Sequence, residues 1–214
     1  MNPVSHFRDL LADWPPERVQ ALIRAQTSTD VERALGATGR YEPQHMAALL
    51  SPAAEAALEP LAQRAAHWTR QRFGRAVQFF APLYVSNYCC NGCRYCGFNR
   101  STRDTVRRAL TVDEAVAEAE CLAEQGFGHI LLVAGEDLKN TPPAYFAELT
   151  RRIRPRFASV QIEIYSLKLE EYRMLVDAGV DGMTMFQETY NPAVYADNHP
   201  CGPKRDFANR IDTF

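Results

Sequence analysis

Residues 127–165 read FGHILLVAGEDLKNTPPAYFAELTRRIRPRFASVQIEIY. A short apolar run, His129 to Val133, is followed by Thr141-Pro-Pro143, which opens a helical pattern to about Arg154. A second run, Ser159 to Ile164, completes the unit. Short apolar runs separated by one helical stretch define a strand–helix–strand unit, because parallel neighbours need a crossover between them. The pattern continues in both directions. Upstream, Val77 to Val85 alternates as a strand, and Thr111-Val-Asp-Glu114 is a capping box that opens a helix to about Gln125, stopped at Gly126. Downstream, Leu169 to Ala178 reads as a helix, Gly182 to Phe186 as a strand, and Asn191-Pro192 as another helix start. The fold class is therefore α/β, a partial (β/α) TIM-type barrel of about four units. A closed barrel needs about eight units and roughly 250 residues, so the pattern reads as truncated or as a half barrel. The last strand is then expected to present an unpaired edge.

Residues 1–76 read as an N-terminal helical arm, and residues 77–214 as the barrel part. In the arm, Asp13-Trp-Pro-Pro-Glu17 starts a helix, with proline suited to the first turn. Thr29-Asp-Val-Glu32 looks like a capping box, with Gly36 placed to end that helix. Ser51-Pro52 is a further start, followed by Leu58, Leu61, Ala65 and Trp68 at helical spacing. The arm carries no evident chemistry, and its apolar stripe is expected to serve packing.

The chain has 214 residues, of which 46% are apolar and 23% charged, the composition of a globular protein. Its 24 basic and 26 acidic side chains leave a net charge of −2, which carries neither a nucleic-acid nor a membrane footprint. Nearly all the positive charge is arginine; lysine occurs only at 139, 168 and 204. No apolar run approaches the ~20 residues that span a bilayer. The stretch MNPVSHFRDLLADW carries Arg8, Asp9 and Asp13 where a leader needs an apolar core, so a cytoplasmic location is expected.

Four of the six cysteines, Cys89, Cys90, Cys93 and Cys96, fall together directly after the first strand; Cys121 and Cys201 lie apart. A disulfide framework would spread its cysteines, whereas clustered thiols in a reducing compartment bind metal or do redox chemistry. Three thiolates on one loop suit three irons of a four-iron cubane, and the fourth iron is then left for a small molecule. A zinc site would want a fourth N or S ligand, and no second ligand pair follows downstream. Cys90 is adjacent to Cys89, and neighbouring thiols rarely face one cubane, so it reads as a non-ligand. Cys121, mid-helix, reads as core.

The spacing Cys89-x3-Cys93-x2-Cys96, with aromatic Tyr95 before the third cysteine, resembles the signature of the radical S-adenosylmethionine superfamily. The wider string LYVSNYCCNGCRYCGF over 83–98 resembles the thiamine-pathway tyrosine lyases, the 2-iminoacetate synthases. So do Asp30-Val-Glu-Arg-Ala-Leu35 with Leu49-Leu-Ser-Pro-Ala53, and Phe186-Gln-Glu-Thr-Tyr-Asn191. The resemblance covers nearly the whole chain but only the N-terminal part of the family's length. It implies a [4Fe-4S] cluster on Cys89, Cys93 and Cys96, with S-adenosyl-L-methionine on the open iron. It further implies that a radical derived from that donor breaks the Cα–Cβ bond of L-tyrosine, giving 2-iminoacetate (dehydroglycine) and p-cresol for thiazole synthesis. The implied partners are a flavodoxin- or ferredoxin-type reductant and thiazole synthase. Related enzymes are the tyrosine lyase of hydrogenase-cofactor maturation and, more distantly, tryptophan lyase and the deazaflavin-cofactor synthases. A non-catalytic iron–sulfur fragment is the alternative of another kind.

On that resemblance, Ala134-Gly135-Glu136 stands where the superfamily has Gly-Gly-Glu, so Gly135 and Glu136 are expected to receive the ammonium of the methionine moiety. Alternation puts Glu163 on one face with Gln161 and Tyr165, and from the barrel interior it could meet the adenosine or the amine. Gln187 and Glu188, after the fourth strand, are expected to contact cofactor or substrate at the barrel mouth. Tyr95 is the better of two tyrosines (with Tyr88) for stacking on adenine. The basic stretch with Arg100, Arg103, Arg107 and Arg108 reads either as a solvated linker or as a dock for the acidic reductant.

Overall fold

The structure, a computed structural model, describes residues 7–213. Residues 1–6 of the stretch read above for a leader, and the final Phe214, lie outside the described residues. The chain divides into two compact units, Met1–Val77 and Gln78–Phe214.

The first unit is helical: α1 (Phe7–Ala12), α2 (Pro16–Arg24), α3 (Ser28–Gly36), α4 (Pro43–Leu49) and α5 (Leu58–Phe73). Helix α2 starts at the expected prolines. The capping box of α3 lies two residues earlier than expected. Thr27 Oγ1 accepts from the Asp30 amide at 3.4 Å, and the Asp30 carboxylate accepts from the Thr27 amide at 2.9 Å. The Thr29 and Glu32 pair misled because two threonines precede two acids at the same spacing, and Thr27 is the one already extended. Ser51-Pro52 opens a 3-10 turn, Pro52–Ala57, rather than an α-helix. Val31, Ala34, Ala48 and Ala54 form a small core. None of the residues of α5 is fully buried; Trp68 packs edge-on to Tyr41 at 5.1 Å, and Arg64 lies over the Trp68 ring.

The second unit alternates strictly: β1 (Ala81–Ser86), α6 (Val112–Glu124), β2 (His129–Ala134), α7 (Pro143–Ile153), β3 (Ser159–Glu163), α8 (Leu169–Ala178) and β4 (Gly182–Met183). Helices α9 (Pro192–Asn198) and α10 (Phe207–Ile211) follow. The sheet order is β1-β2-β3-β4, every pairing parallel. Each strand thus lies beside the next in sequence, as in the opening half of a (β/α) barrel. The Thr111–Glu114 capping box forms as expected, and Gly126 takes the left-handed φ that ends the helix connection.

Alternation divides the sheet into two faces. Leu83, Val85, Ile130, Leu132, Val160 and Ile162 are buried against Ala115, Ala119, Phe146, Leu149 and Leu175 of the helices. The opposite face carries Tyr84, Val133, Gln161 and Glu163, none of them fully buried. β3 is one residue shorter than the sequence suggested and β1 and β4 several, and these last two lose residues where no partner remains. Ala81 pairs with Ile130 and β2 begins at His129, so Val77 and Phe79 have no strand residue opposite, and they and Phe80 stay exposed. In β4 the last ladder bond is Thr184 N–H to Ile162 O at 2.9 Å, because β3 ends one residue later. Cys121 is exposed rather than core, since it lies two residues, and so more than half a turn, from buried Ala119.

Among the described residues no helix is long and apolar enough to cross a membrane.

Candidate metal and cofactor site

The C-terminal ends of the strands open on a cavity of about 300 Å³. Tyr84, Val133, Glu163 and Thr184 line it from the four strand ends in turn. That is where a (β/α) sheet collects its functional side chains, because every connecting loop leaves from that edge.

The connection from β1 to α6 carries the cysteines, and its irregular backbone is held by side chains. Arg107 donates to three carbonyls, Asn87 O at 2.5 Å, Phe98 O at 3.0 Å and Asn99 O at 2.6 Å. It is therefore an internal staple, neither solvated linker nor docking charge. Arg100, Arg103 and Arg108 remain exposed. Asn99 adds a bond to Cys93 O at 2.8 Å.

Cys89, Cys93 and Cys96 all line the cavity, with Cys93 buried. Cys90 is exposed and does not line it. Partial desolvation by the packed loop, reinforced by the Glu136 carboxylate, pushes the Cys90 thiol up to about 11, so it stays protonated at neutral pH. Among the described residues no three His, Cys, Asp or Glu side chains converge on a single ion.

The turn after β2 sits hard against this loop. A Cβ at Gly135 would collide with Tyr88 O and stand 2.9 Å from Cys89 Cβ, so only glycine fits. Cys90 N–H donates to Glu136 O at 2.9 Å. The Glu136 carboxylate accepts from Asn91 Nδ2 at 2.7 Å and lines the cavity.

A segment that sequence reasoning left without a role closes the loop from the far end of the chain. Gly92 N–H donates to Cys201 O at 3.1 Å, Arg94 N–H to Asn198 O at 3.0 Å, and Lys204 N–H to Asn91 Oδ1 at 2.9 Å. Tyr95 and Glu188 line the cavity, and both touch Lys204. Gln187 differs from expectation: it is not a lining residue, and its amide turns back to Thr189 O at 3.4 Å. Glu163 lines the cavity from β3.

Arg210 was not legible as a site residue. It is 9% exposed and lines the cavity, its Nε and Nη2 donating to Phe186 O at 3.2 and 2.7 Å. Its Nη1 reaches only Ser166 Oγ, at 3.5 Å, and it makes no ion pair among the described residues. A buried guanidinium without a carboxylate is costly, so the cavity offers an incoming anion a ready counter-charge.

Residues 83–214 match the Radical SAM superfamily, and the chain belongs to that family. It is 44% identical over 203 residues to the 2-iminoacetate synthase of Salmonella typhimurium, covering 94% of this chain and 52% of the relative. To the 2-iminoacetate synthase of Escherichia coli it is 45% identical over 201 residues, with the same coverage of each chain. The chain thus spans about half the length of the curated relatives it matches. The crystal structure of HydG, a maturase of the [FeFe]-hydrogenase, matches with a TM-score of 0.83 at 32% identity, covering 91% of this chain and 45% of that one. The four-stranded parallel sheet with its helices is accordingly a partial α/β barrel. Family membership implies a [4Fe-4S] cluster and S-adenosylmethionine as cofactors.

Proposed function

We propose that this chain is the N-terminal part of a radical S-adenosylmethionine lyase that cleaves the Cα–Cβ bond of L-tyrosine to 2-iminoacetate and p-cresol, for thiazole synthesis in thiamine biosynthesis. Residues 1–76 form its helical arm, and residues 77–214 the first part of its barrel. The observation that carries the proposal is the convergence of Cys89, Cys93 and Cys96 with Glu136, Glu163, Glu188 and Arg210 around one cavity.

Cys89, Cys93 and Cys96 hold the cluster. Because burial pushes the Cys93 thiol up, iron must displace its proton on binding. When bound, the cluster and S-adenosylmethionine would supply radical chemistry at the substrate amine, given an electron from the reductant. Glu136 accepts from a ligand ammonium, its second acceptor position held by Asn91. Arg210 takes a ligand carboxylate at Nη1, whose partner is the Ser166 hydroxyl at 3.5 Å. Glu188 and Glu163 accept from hydroxyl or amino groups, and Tyr95 offers its ring to adenine. The apolar side chains of Val133, Ile164 and Met185 line the cavity and keep water from the reacting groups. Arg100, Arg103 and Arg108 give an acidic flavodoxin- or ferredoxin-type donor a basic approach to the cluster loop. Thiazole synthase is the consumer of the product, and the cytoplasm the place of work.

The HydG likeness supports a second assignment, a related aromatic amino-acid lyase of the hydrogenase-maturation type. The higher identity to the two synthases favours the first. Anaerobic reconstitution with iron and sulfide tests both. Uptake of about four irons and four sulfides per chain is expected. Addition of S-adenosylmethionine should then change the electron paramagnetic resonance of the reduced cluster, and tyrosine should yield p-cresol when the full-length protein is assayed. A cluster-free chain, or a cluster indifferent to the donor, would leave a non-catalytic protein.

A further inference from the structure

We propose that Lys204 is a positioning residue: its ammonium holds the Glu188 carboxylate and the Tyr95 hydroxyl in the arrangement that receives S-adenosylmethionine. The proposal rests on the cofactor assignment made above and adds a residue from the last segment of the unit to it.

The contacts define the role. Lys204 Nζ donates to Glu188 Oε1 at 2.7 Å and to Tyr95 OH at 3.1 Å. Both ends of the ion pair are largely shielded, with side-chain exposures of 17% for Lys204 and 24% for Glu188, so water screens it less than a surface pair. The direction of the remaining bonds follows from His199. Its Nδ1 lies 2.7 Å from Tyr195 O, a carbonyl that only accepts, so Nδ1 carries the hydrogen. Nε2 of the neutral ring is then an acceptor, and Tyr95 OH, 2.7 Å away, donates to it. The Tyr95 oxygen in turn accepts from Lys204.

Glu188 Oε1 takes the lysine, and the Tyr95 hydroxyl lies beside the same carboxylate. Oε2 lies 3.9 Å from His199 Nε2, beyond hydrogen-bond reach. A carboxylate fixed by the lysine at the wall of the cavity is preorganised for a donor on a ligand. Lys204 reaches this place because its own backbone N–H is pinned to Asn91 Oδ1, and the same Asn91 side chain holds Glu136. The cluster loop and two carboxylates from separate strand ends are thereby set relative to one another by two residues. A compact ammonium suits the task, since it serves two oxygens at an angle that a planar guanidinium would not match as well. In a chain that otherwise uses arginine almost throughout, lysine at this place has a physical reason.

The test compares the reconstituted full chain with Lys204→Met, Lys204→Gln and Lys204→Arg, alone and in a Glu188→Gln background. The readouts are iron and sulfide content and the dissociation constant of S-adenosylmethionine by equilibrium dialysis. We expect Lys204→Met and Lys204→Gln to weaken binding by about tenfold or more at unchanged cluster content, equivalent to ~1.4 kcal/mol. Lys204→Arg should recover part of the loss. In the Glu188→Gln background the Lys204 changes should cost under about twofold, because the carboxylate they position is gone. Binding within twofold of the parent, equal losses in both backgrounds, or loss of iron in both neutral variants would each overturn the proposal. If the parent chain takes up the cluster and binds no S-adenosylmethionine, the cofactor assignment falls and Lys204's role with it. If the parent binds and the variants match it, only the role of Lys204 falls.

Discussion

Cys89 and Cys90 are neighbours with opposite surroundings. Cys89 faces the cavity with Cys93 and Cys96, while Cys90 faces outward and keeps its proton. Replacing Cys93 with alanine is therefore expected to abolish the brown cluster colour and adenosylmethionine cleavage, because two thiolates hold a cubane poorly. Replacing Cys90 with serine should leave iron content at the parental level. Retained colour in the first variant, or lost iron in the second, would show that the ligand set is wrong. The motif spacing made these cysteines legible, and the family resemblance pointed to Gly135 and Glu136 at the end of the second strand. Arg210 and Asn91 were not legible. The value of Asn91 lies in bonds to Glu136 and Lys204, 45 and 113 positions away, and no local pattern encodes them. Gln187 shows the converse: adjacent to Glu188 in sequence, it turns to Thr189 instead of the cavity.

The strands and helices followed their local signals closely where partners were available. Helix α8 spans the predicted residues, and β2 and β3 differ from prediction by one residue each. β1 and β4 came out short because a strand needs a neighbour as well as an alternating sequence. Leu132, on β2, is fully buried at the centre of the sheet–helix core. Leu132→Ala should destabilise the unit by about 2–5 kcal/mol, read as a lowered urea midpoint at unchanged slope. The segment between α9 and α10 makes its own prediction. His199 is fully buried, and burial holds its pKa below the usual 6.5. The folded state therefore favours the neutral ring, so its contribution is complete above 6.5 and fades as pH falls toward the lowered value. Thermal stability should decline between pH 7.5 and pH 5, and His199→Gln should flatten that slope. A variant with the parental slope would remove His199 as the cause.

The sheet, the cysteine loop and the closing segment meet only when the second unit is assembled. A cluster bound by the folded cavity and not by the unfolded chain must stabilise the fold by mass action. The anaerobically loaded protein should therefore melt at a higher temperature than the same protein stripped by chelator, with exposure to air returning it toward the stripped value. Equal melting temperatures would mean that the three thiols do not share a site in the native chain. Alternation and capping signals are enough to specify the parallel βα order, since each depends on residues a few positions apart. Cysteine spacing likewise announces the metal chemistry from one short loop. Which carboxylates face that loop, which arginine is left without a counter-charge, and which lysine ties Glu188 to Tyr95 depend on loops brought together from 24 to 109 positions apart in sequence. Those pairings are paid for by burial of the whole sheet–helix core, so they exist in the folded molecule and leave no mark in any single stretch of its sequence.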